Sequence, residues 1–189
     1  MAAGPFVLGF DTSAAHCAAA VLDGERCLAT RVEEMGRGQA ERLMPLLEEL
    51  LAEAGLTWRD LHRIGVGVGP GNFTGIRISV AAARGLALGL GIPAIGVSTF
   101  DAIQLADPEA AAAVPAPRGQ IYLQLPGGAP ALVTDSADIT PVLPPDPAEL
   151  ACRIACIAAL SSSLARPAPL YIKPADAAPA RDAAPLILS

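Results

Sequence analysis

The segment Gly69-Pro70-Gly71-Asn72-Phe73-Thr74-Gly75-Ile76-Arg77 decides how the first half of this chain folds. It follows an apolar run at residues 64–68, which predicts a buried strand, and it leads into residues 74–90, which predict a helix. Glycines at such a junction permit unusual backbone angles and close approach of other segments, and Thr74 is placed to cap the helix. The segment therefore predicts a tight strand-to-helix turn.

Chemistry leaves two interpretations of this turn open. Free N–H groups at a helix start attract anions, so a phosphate could bind there. The segment lacks, however, both the Gly-Lys-Ser/Thr ending of a P-loop and the spacing of a dinucleotide fingerprint. A structural turn without a ligand is therefore favoured over a phosphate cradle.

The elements around the turn follow from apolar periodicity and turn residues. In the first half of the chain we predict strands at residues 6–10, 17–22, 26–33, 64–68 and 94–97, and helices at 41–54, at 74–90 and from 98 or 99 to about 108. Asp23-Gly24 favours a tight hairpin, so the first three strands should be antiparallel. A helix between two strands makes those strands parallel through a right-handed crossover. This order predicts an α/β fold.

The first predicted helix contains a proline, and the second half of the chain yields few predicted elements. Pro45 requires the first helix to start near Arg42 or Leu43, or else to kink. In the proline-rich second half we predict only a strand at 120–125, a helix at 147–164 opened by Asp146, and a short strand at 169–173.

The helix at 74–90 carries a stripe of small residues. Ala81, Gly85 and Gly89 are spaced four apart and so lie on one face. Glycine inside a helix costs roughly 1 kcal/mol relative to alanine, so two of them indicate that another backbone approaches closely. That backbone could belong to the protein's own sheet or to a helix of a partner, and the sequence does not choose.

Charge and apolar stretches limit the classes of function. The net charge of -6 and the pI of about 4.8 argue against direct binding to a nucleic-acid backbone, so any role on RNA would act through a partner. The N-terminus lacks a basic signal region, and the apolar stretch at 85–100 contains Pro93 and is short for a bilayer. We expect a cytoplasmic, reduced protein with no membrane association.

No catalytic or metal site is predicted. Asp11-Thr12-Ser13 could hold a metal-bound phosphate or simply satisfy the backbone of a turn. Zinc needs about four converging ligands, and the spacing of His16 and His62 does not supply them. Cys152 and Cys156 lie one helical turn apart in an apolar run, which favours small core residues over ligands.

Four segments of the chain resemble the TsaB (YeaZ) family, which serves the formation of threonylcarbamoyladenosine beside the tRNA anticodon. They are residues 7–13, 38–45, 65–78 and 85–99. Beyond them the resemblance is thin, with echoes at 118–122 and 170–173. The resemblance implies an actin-like/Hsp70-like (ASKHA, ribonuclease H-like) fold with an N-terminal lobe at 1–100 and a smaller, degenerate lobe at 101–189. The C-terminal segment is a candidate to return to the first lobe.

The resemblance also implies a role without chemistry of its own. Family members pair with TsaD, which holds the metal and transfers the threonylcarbamoyl group, and the ATPase TsaE joins them. It implies no cofactor in the chain itself, ATP or ADP at the joint with TsaD, contact with tRNA only through the complex, and a homodimer as a further assembly. The alternative is an independent sugar-kinase-like phosphotransferase or peptidase homologue, for which the chain offers Asp11 and little else.

The resemblance assigns residues to two roles. The two predicted helices at 41–54 and 74–90 correspond to the family's pairing surface, which implies a partner interface at Leu43, Leu47, Leu50, Arg77, Ala81, Gly85 and Gly89. The structural turn comprises Asp11, Gly69, Pro70, Gly71, Asn72, Phe73, Thr74 and Gly75. The chain departs from the family at Gln39, Asn72 and Ser79, where the family commonly has His, Ser and Gly.

Overall fold

A five-stranded mixed sheet forms the centre of the molecule in the computed structural model, which describes residues 4–134 and 139–172. Its strands are β1 (Phe6–Asp11), β2 (His16–Asp23), β3 (Arg26–Glu34), β4 (Arg63–Gly67) and β5 (Ala94–Val97). The order across the sheet is β3-β2-β1-β4-β5. β1, β2 and β3 pair antiparallel, and β4 and β5 extend the sheet in parallel. The predicted positions and directions of these strands are confirmed.

Helices cover both faces of this sheet. They are α1 (Gln39–Glu53), α2 (Phe73–Leu90), α3 (Thr99–Gln104) and α4 (Pro147–Leu160). Because side chains alternate along a strand, Leu8 and Phe10 of β1 pack against α1 and α2, whereas Val7 packs against α4. Asp146 caps α4 as predicted, and of the two predicted starts of α3 it is Ser98 that caps the helix. The predicted helix ends are wrong, because α3 ends at Gln104 rather than near residue 108 and α4 at Leu160 rather than at residue 164.

The backbone of α4 packs directly on the sheet. A Cβ at Gly9 would lie 2.5 Å from the Ala151 carbonyl oxygen, and one at Gly65 would lie 2.7 Å from that of Ile154. No side chain fits at either position, because the opposing atoms are backbone. The segment after residue 100 thus supplies a helix to the central sheet, while the boundary between lobes at residue 100 stays a prediction.

A second, antiparallel sheet has the order β6-β7-β8. Its strands are β6 (Ala112–Pro115), β7 (Ile121–Gln124) and β8 (Ala131–Val133), of which only β7 is predicted. The strand predicted at 169–173 is wrong for residues 169–172, and Lys173 lies outside the described residues. There the Leu170 amide donates one hydrogen bond to the Val68 carbonyl oxygen, at 2.8 Å. Two short 3-10 helices, Trp58–Asp60 and Pro117–Gly119, complete the described elements.

The start of α1 differs from the prediction. The helix begins at Gln39, so Pro45 lies inside it and a start near Arg42 or Leu43 is wrong. Proline has no N–H, so the Glu41 carbonyl loses its donor four residues later. Glu41 and Pro45 are both exposed, which lets water satisfy that carbonyl.

Candidate partner interface

Asn72 fixes the start of α2. It is the N-cap residue, and its Oδ1 accepts a hydrogen bond from the Gly75 amide at 3.0 Å. The predicted cap at Thr74 is wrong, because Thr74 already lies within the first helical turn and its side chain is exposed. The helix ends at Gly91, whose φ of 69° is the left-handed conformation that closes many helices.

The motif turn, residues 69–75, packs tightly on the loop after β1. A Cβ at Gly71 would overlap the Ser13 carbonyl oxygen, and one at Gly75 would overlap that of Thr12. The Asn72 amide donates to the Ser13 carbonyl at 2.6 Å, and the Thr12 hydroxyl donates to the Gly75 carbonyl at 2.7 Å. The glycines therefore permit close backbone packing that anchors α2 to β1.

Asp11 is held by its own loop. Its Oδ2 accepts hydrogen bonds from the Ser13 amide and hydroxyl, both at 2.9 Å, and lies 2.9 Å from His16 Nε2. The aspartate is 1% exposed, and its Oδ1 faces Gly67, where a Cβ would overlap it. Within residues 4–134 and 139–172, no group of three or more His, Cys, Asp or Glu residues is arranged to hold a metal ion.

The other two departures from the family, Gln39 and Ser79, also make structural hydrogen bonds. Gln39 is buried, and its Nε2 donates to the carbonyl oxygens of Ala14 at 2.7 Å and His16 at 2.8 Å. Ser79 is also buried and donates to the Gly67 carbonyl at 3.1 Å. Gln39 ties α1 to the loop between β1 and β2, and Ser79 ties α2 to β4.

Three of the predicted interface residues belong to the protein's own core. Leu43, Leu47 and Leu50 are 1%, 0% and 0% exposed and pack against the central sheet. An interface role through direct contact is therefore wrong for these leucines, because the apolar stripe of α1 faces inward. On the outer side of α1, Met44 is 36% exposed.

The small-residue stripe of α2 faces outward. Arg77, Ala81, Gly85 and Gly89 are all exposed, and a Cβ added to Gly85 or Gly89 meets no atom within 4 Å. Of the two alternatives left by the sequence, the protein's own sheet is thus not the backbone that these glycines approach. An open groove of about 490 Å³, here called the outer groove, is lined by Met44, Trp58, Ala82, Gly85, Leu86, Gly89 and Leu90.

The outer side of α2 is unusually apolar for an uncovered surface. Its 18 residues have a mean hydropathy of 1.3, yet only 28% of them are buried, and Leu88 is 87% exposed. By length and composition alone such a helix could cross a membrane. Here it packs on the central sheet through Ile76, Val80 and Ala83, and within residues 4–134 and 139–172 its apolar outer side is left exposed.

An aromatic cluster lies at the first turns of α2. The Arg77 guanidinium lies 3.8 Å from the centre of the Phe73 ring, and Phe73 stacks on Tyr171 at 4.8 Å between ring centres. Arg77 Nε also donates to the Tyr171 hydroxyl at 3.0 Å. The sequence does not predict Tyr171 as a neighbour of this face, although residues 170–173 are among the segments that resemble the family.

A separate cleft of about 640 Å³ lies between the motif turn and the second sheet. Its walls include Pro70, Val114, Leu143, Pro144 and Pro145, with His16, Gln39 and Asn72 at the sheet end. Among the described residues that line it there is no lysine or arginine.

The strand order, with three antiparallel strands extended by two parallel ones, defines the actin-like, ribonuclease H-like class of α/β fold, as predicted. Similar proteins identify the family to which the chain belongs within this class of fold. A family model described as "TsaD: tRNA N6-adenosine threonylcarbamoyltransferase" matches residues 33–138, more than half of the chain. YeaZ from Pseudomonas aeruginosa is 30% identical, with a TM-score of 0.61 over 73% of this chain and 71% of that one. The chain belongs to the TsaB (YeaZ) family.

Further relatives agree with this assignment. The tRNA threonylcarbamoyladenosine biosynthesis protein TsaB of Escherichia coli K12 is 35% identical over 94 residues, which are 50% of this chain and 40% of that protein. The protein of the same name from Bacillus subtilis is 33% identical over 51% of this chain and 42% of its own length. The match thus spans less than half of these curated relatives. A solved structure described as an uncharacterized protein with similarity to peptidase YEAZ is 25% identical, with a TM-score of 0.72 over 89% of this chain and 100% of that one.

Proposed function

We propose that this chain is a non-catalytic subunit required for threonylcarbamoyladenosine formation in tRNA, and that it pairs with TsaD through the outer groove. The names of the curated relatives support the pathway. The observation that carries the pairing surface is the open space around Gly85 and Gly89. Glycine at these two positions weakens the helix without serving any contact in the described part of the chain.

TsaD is a suitable partner because it is related to this chain in the region concerned. The matched residues 33–138 include both α1 and α2. A helix pair of similar origin on the partner can therefore pack against this one. Helix axes lie about 8–10 Å apart when packed, with the shortest distances where side chains are small, and the outer groove presents such side chains beside apolar walls.

We also propose that this chain catalyses no reaction of its own. Asp11, the acidic residue after the first strand, has its Oδ2 occupied by Ser13 and His16. An acidic chain with a net charge of -6 is also poorly suited to hold tRNA directly. We assign tRNA binding and group transfer to the complex, ATP or ADP to the joint with TsaD, and cytoplasmic location to the assembly.

TsaE and a second copy of this chain are the remaining partners in the proposal. A homodimer through the outer groove would use the same apolar surface as TsaD, so the two assemblies would compete. Adding TsaD to the isolated protein should then convert a dimer into a mixed pair, which size-exclusion chromatography with light scattering distinguishes by mass.

Reconstitution tests the proposed function. Purified TsaD, TsaE and the threonylcarbamoyl-adenylate synthase are mixed with unmodified tRNA, with and without this chain, and the modified nucleoside is measured by mass spectrometry. We expect modification only in the complete mixture and no product from this chain alone. If tRNA is modified equally well in the mixture that lacks this chain, the proposed function is wrong. None of the reported comparisons favours the alternative, an independent phosphotransferase or peptidase. Turnover of a substrate by the isolated chain would be needed to support it.

A further inference from the structure

Two cysteines distant in sequence meet between β3 and α4. The Sγ atoms of Cys27 and Cys152 lie 3.5 Å apart, although 125 residues separate them. Cys27 is exposed on β3, and Cys152 is partly buried on α4. Cys152 lies in an apolar run that is typical of small core residues, and the positions of the two cysteines in the sequence do not predict that they meet.

We propose that Cys27 and Cys152 form an oxidation site, at which a peroxide-class oxidant closes a reversible intramolecular disulfide. A disulfide has an S–S distance of about 2.04 Å, so the sulfurs must approach by roughly 1.5 Å. Cys27 is exposed, and its sulfur already lies 3.5 Å from that of Cys152. The movement required is therefore small and falls on the accessible partner.

The surrounding backbone suits such a closure. The register of β2 and β3 shifts beside Cys27, because Val21 pairs with Ala29 while Leu22 pairs with Cys27. This bulge leaves Leu28 unpaired and permits local adjustment of β3. The other half of the pair is fixed, since Gly9 and Gly65 bring the α4 backbone into contact with the sheet.

The chemistry proceeds in two balanced steps. The Cys27 sulfur, as thiolate, attacks one peroxide oxygen, the O–O bond breaks, and the departing hydroxide takes up a proton to give water and a sulfenic acid. The Cys152 sulfur then attacks the Cys27 sulfur, the S–O bond breaks, and the hydroxide leaves with the Cys152 proton as a second water. Two thiols lose two electrons in total, and the peroxide gains them.

The environment of Cys152 determines which of the two sulfurs is oxidised first. Burial, followed by the hydrogen bond with Cys27, raises the pKa of the Cys152 thiol to about 12. Cys152 is thus protonated at neutral pH, and the exposed Cys27 is the sulfur that reacts first. A high-pKa thiol is also a slow leaving group, which protects the closed disulfide from reductants that attack the accessible Cys27 sulfur.

The disulfide would link β3 covalently to the helix that covers the second face of the sheet. Cross-linking across a long loop stabilises a fold mainly by restricting its unfolded state. For a chain of this size we expect the oxidised form to melt about 5–15 °C above the reduced form. The expected biological result is a fold that is reinforced, reversibly, under oxidative conditions.

Peptide mapping combined with thermal melts tests this proposal. The full chain is oxidised with hydrogen peroxide at low concentration, free thiols are blocked, and peptides are mapped without reduction. We expect the four thiols to fall to two, a Cys27–Cys152 linked peptide, and a rise in Tm that dithiothreitol reverses. Cys27→Ser and Cys152→Ser should lose the linked peptide and the reversible rise in Tm, while Cys156→Ser, one helical turn from Cys152, should keep both.

Three outcomes would overturn the proposal. They are oxidation without the Cys27–Cys152 peptide, a link from Cys27 to Cys156 or to a second molecule instead, and a reversible rise in Tm that persists in Cys27→Ser. Because Cys27 is exposed, its serine variant should fold normally, so a negative result with that variant remains interpretable.

Discussion

The carbonyl oxygen of Thr12 lies against the α-carbon of Gly75 so closely that a Cβ on Gly75 would overlap it. The Thr12 hydroxyl meanwhile donates to the Gly75 carbonyl at 2.7 Å. The loop after β1 and the first turn of α2 are therefore joined backbone to backbone. This contact sets the position of α2, and with it the direction in which the outer groove faces.

Replacing Gly75 by alanine should destabilise the protein. The added methyl group meets a backbone carbonyl, which cannot move aside without shifting β1 or α2, so we expect a loss of at least about 1–3 kcal/mol in the free energy of unfolding. Urea denaturation followed by circular dichroism measures it. A Gly75→Ala protein as stable as wild type would show that the loop yields easily.

Replacing Gly85 by alanine should have the opposite effect. A Cβ there meets no atom of the described residues within 4 Å, so only the helix propensity changes, and alanine should add about 0.5–1 kcal/mol to the free energy of unfolding. Gly65→Ala, whose Cβ would lie 2.7 Å from the Ile154 carbonyl oxygen, is the matched destabilising control. A loss of stability in Gly85→Ala would mean that the outer face of α2 is already covered within the chain.

Removing the side chain of Gln39 should lower the free energy of unfolding by more than the size of the side chain indicates. Gln39→Ala removes a buried donor to the His16 carbonyl oxygen and a part-buried donor to the Ala14 carbonyl oxygen, for which we expect a loss of about 1–3 kcal/mol. Gln124 donates a similar bond, at 3.0 Å, to the Gly128 carbonyl on the exposed surface. Gln124→Ala should change the free energy of unfolding by less than about 0.5 kcal/mol, and equal losses in both variants would contradict the role of Gln39.

The ion pairs of Arg42 predict a dependence of stability on pH. Hydrogen bonding to Arg42 lowers the pKa of Glu33 and of Glu49 below the usual 4.5. Carboxyls with a lowered folded pKa stabilise the fold above their unfolded pKa, and this contribution is lost as the pH falls through the folded value. Arg42→Gln should thus lower Tm slightly at pH 7, and the difference from wild type should shrink as the pH falls below 4.5 through the lowered folded pKa values.

Arg37 provides the control for that comparison. It is exposed just before α1 and forms no ion pair among the residues that the structure describes. Arg37→Gln should follow the wild-type Tm at every pH. A gap between Arg42→Gln and wild type that stays constant as the pH falls well below 4.5 would argue that Arg42 contributes through packing rather than through charge.

The sequence was sufficient for the five strands of the main sheet and for α1, α2 and α4, because their apolar periodicity is local. It also located the small-residue stripe of α2, which depends only on a spacing of four. It could not tell that Leu43, Leu47 and Leu50 face the core, since the apolar stripe of an amphipathic helix looks the same whether it meets a sheet or a partner.

The sequence did not predict contacts between segments that lie far apart along the chain. β6 and β8 are short strands whose pairing with β7 is decided by tertiary context rather than by their own residues. The stacking of Tyr171 on Phe73 and the meeting of Cys27 with Cys152 join segments about a hundred residues apart. Nothing in the local pattern marks such pairs.

Affinity for TsaD is the measurement that tests the central claim, pairing through the outer groove. Purified wild type, Gly85→Leu and Ser162→Leu are titrated into TsaD by calorimetry, after circular dichroism has verified that each is folded. Ser162 is exposed just after α4, which packs on the other face of the sheet, so its variant adds a comparable leucine away from the groove. We predict equal binding by wild type and Ser162→Leu and at least about tenfold weaker binding by Gly85→Leu, a cost of about 1.4 kcal/mol. A folded Gly85→Leu protein that binds TsaD as tightly as wild type would contradict the account.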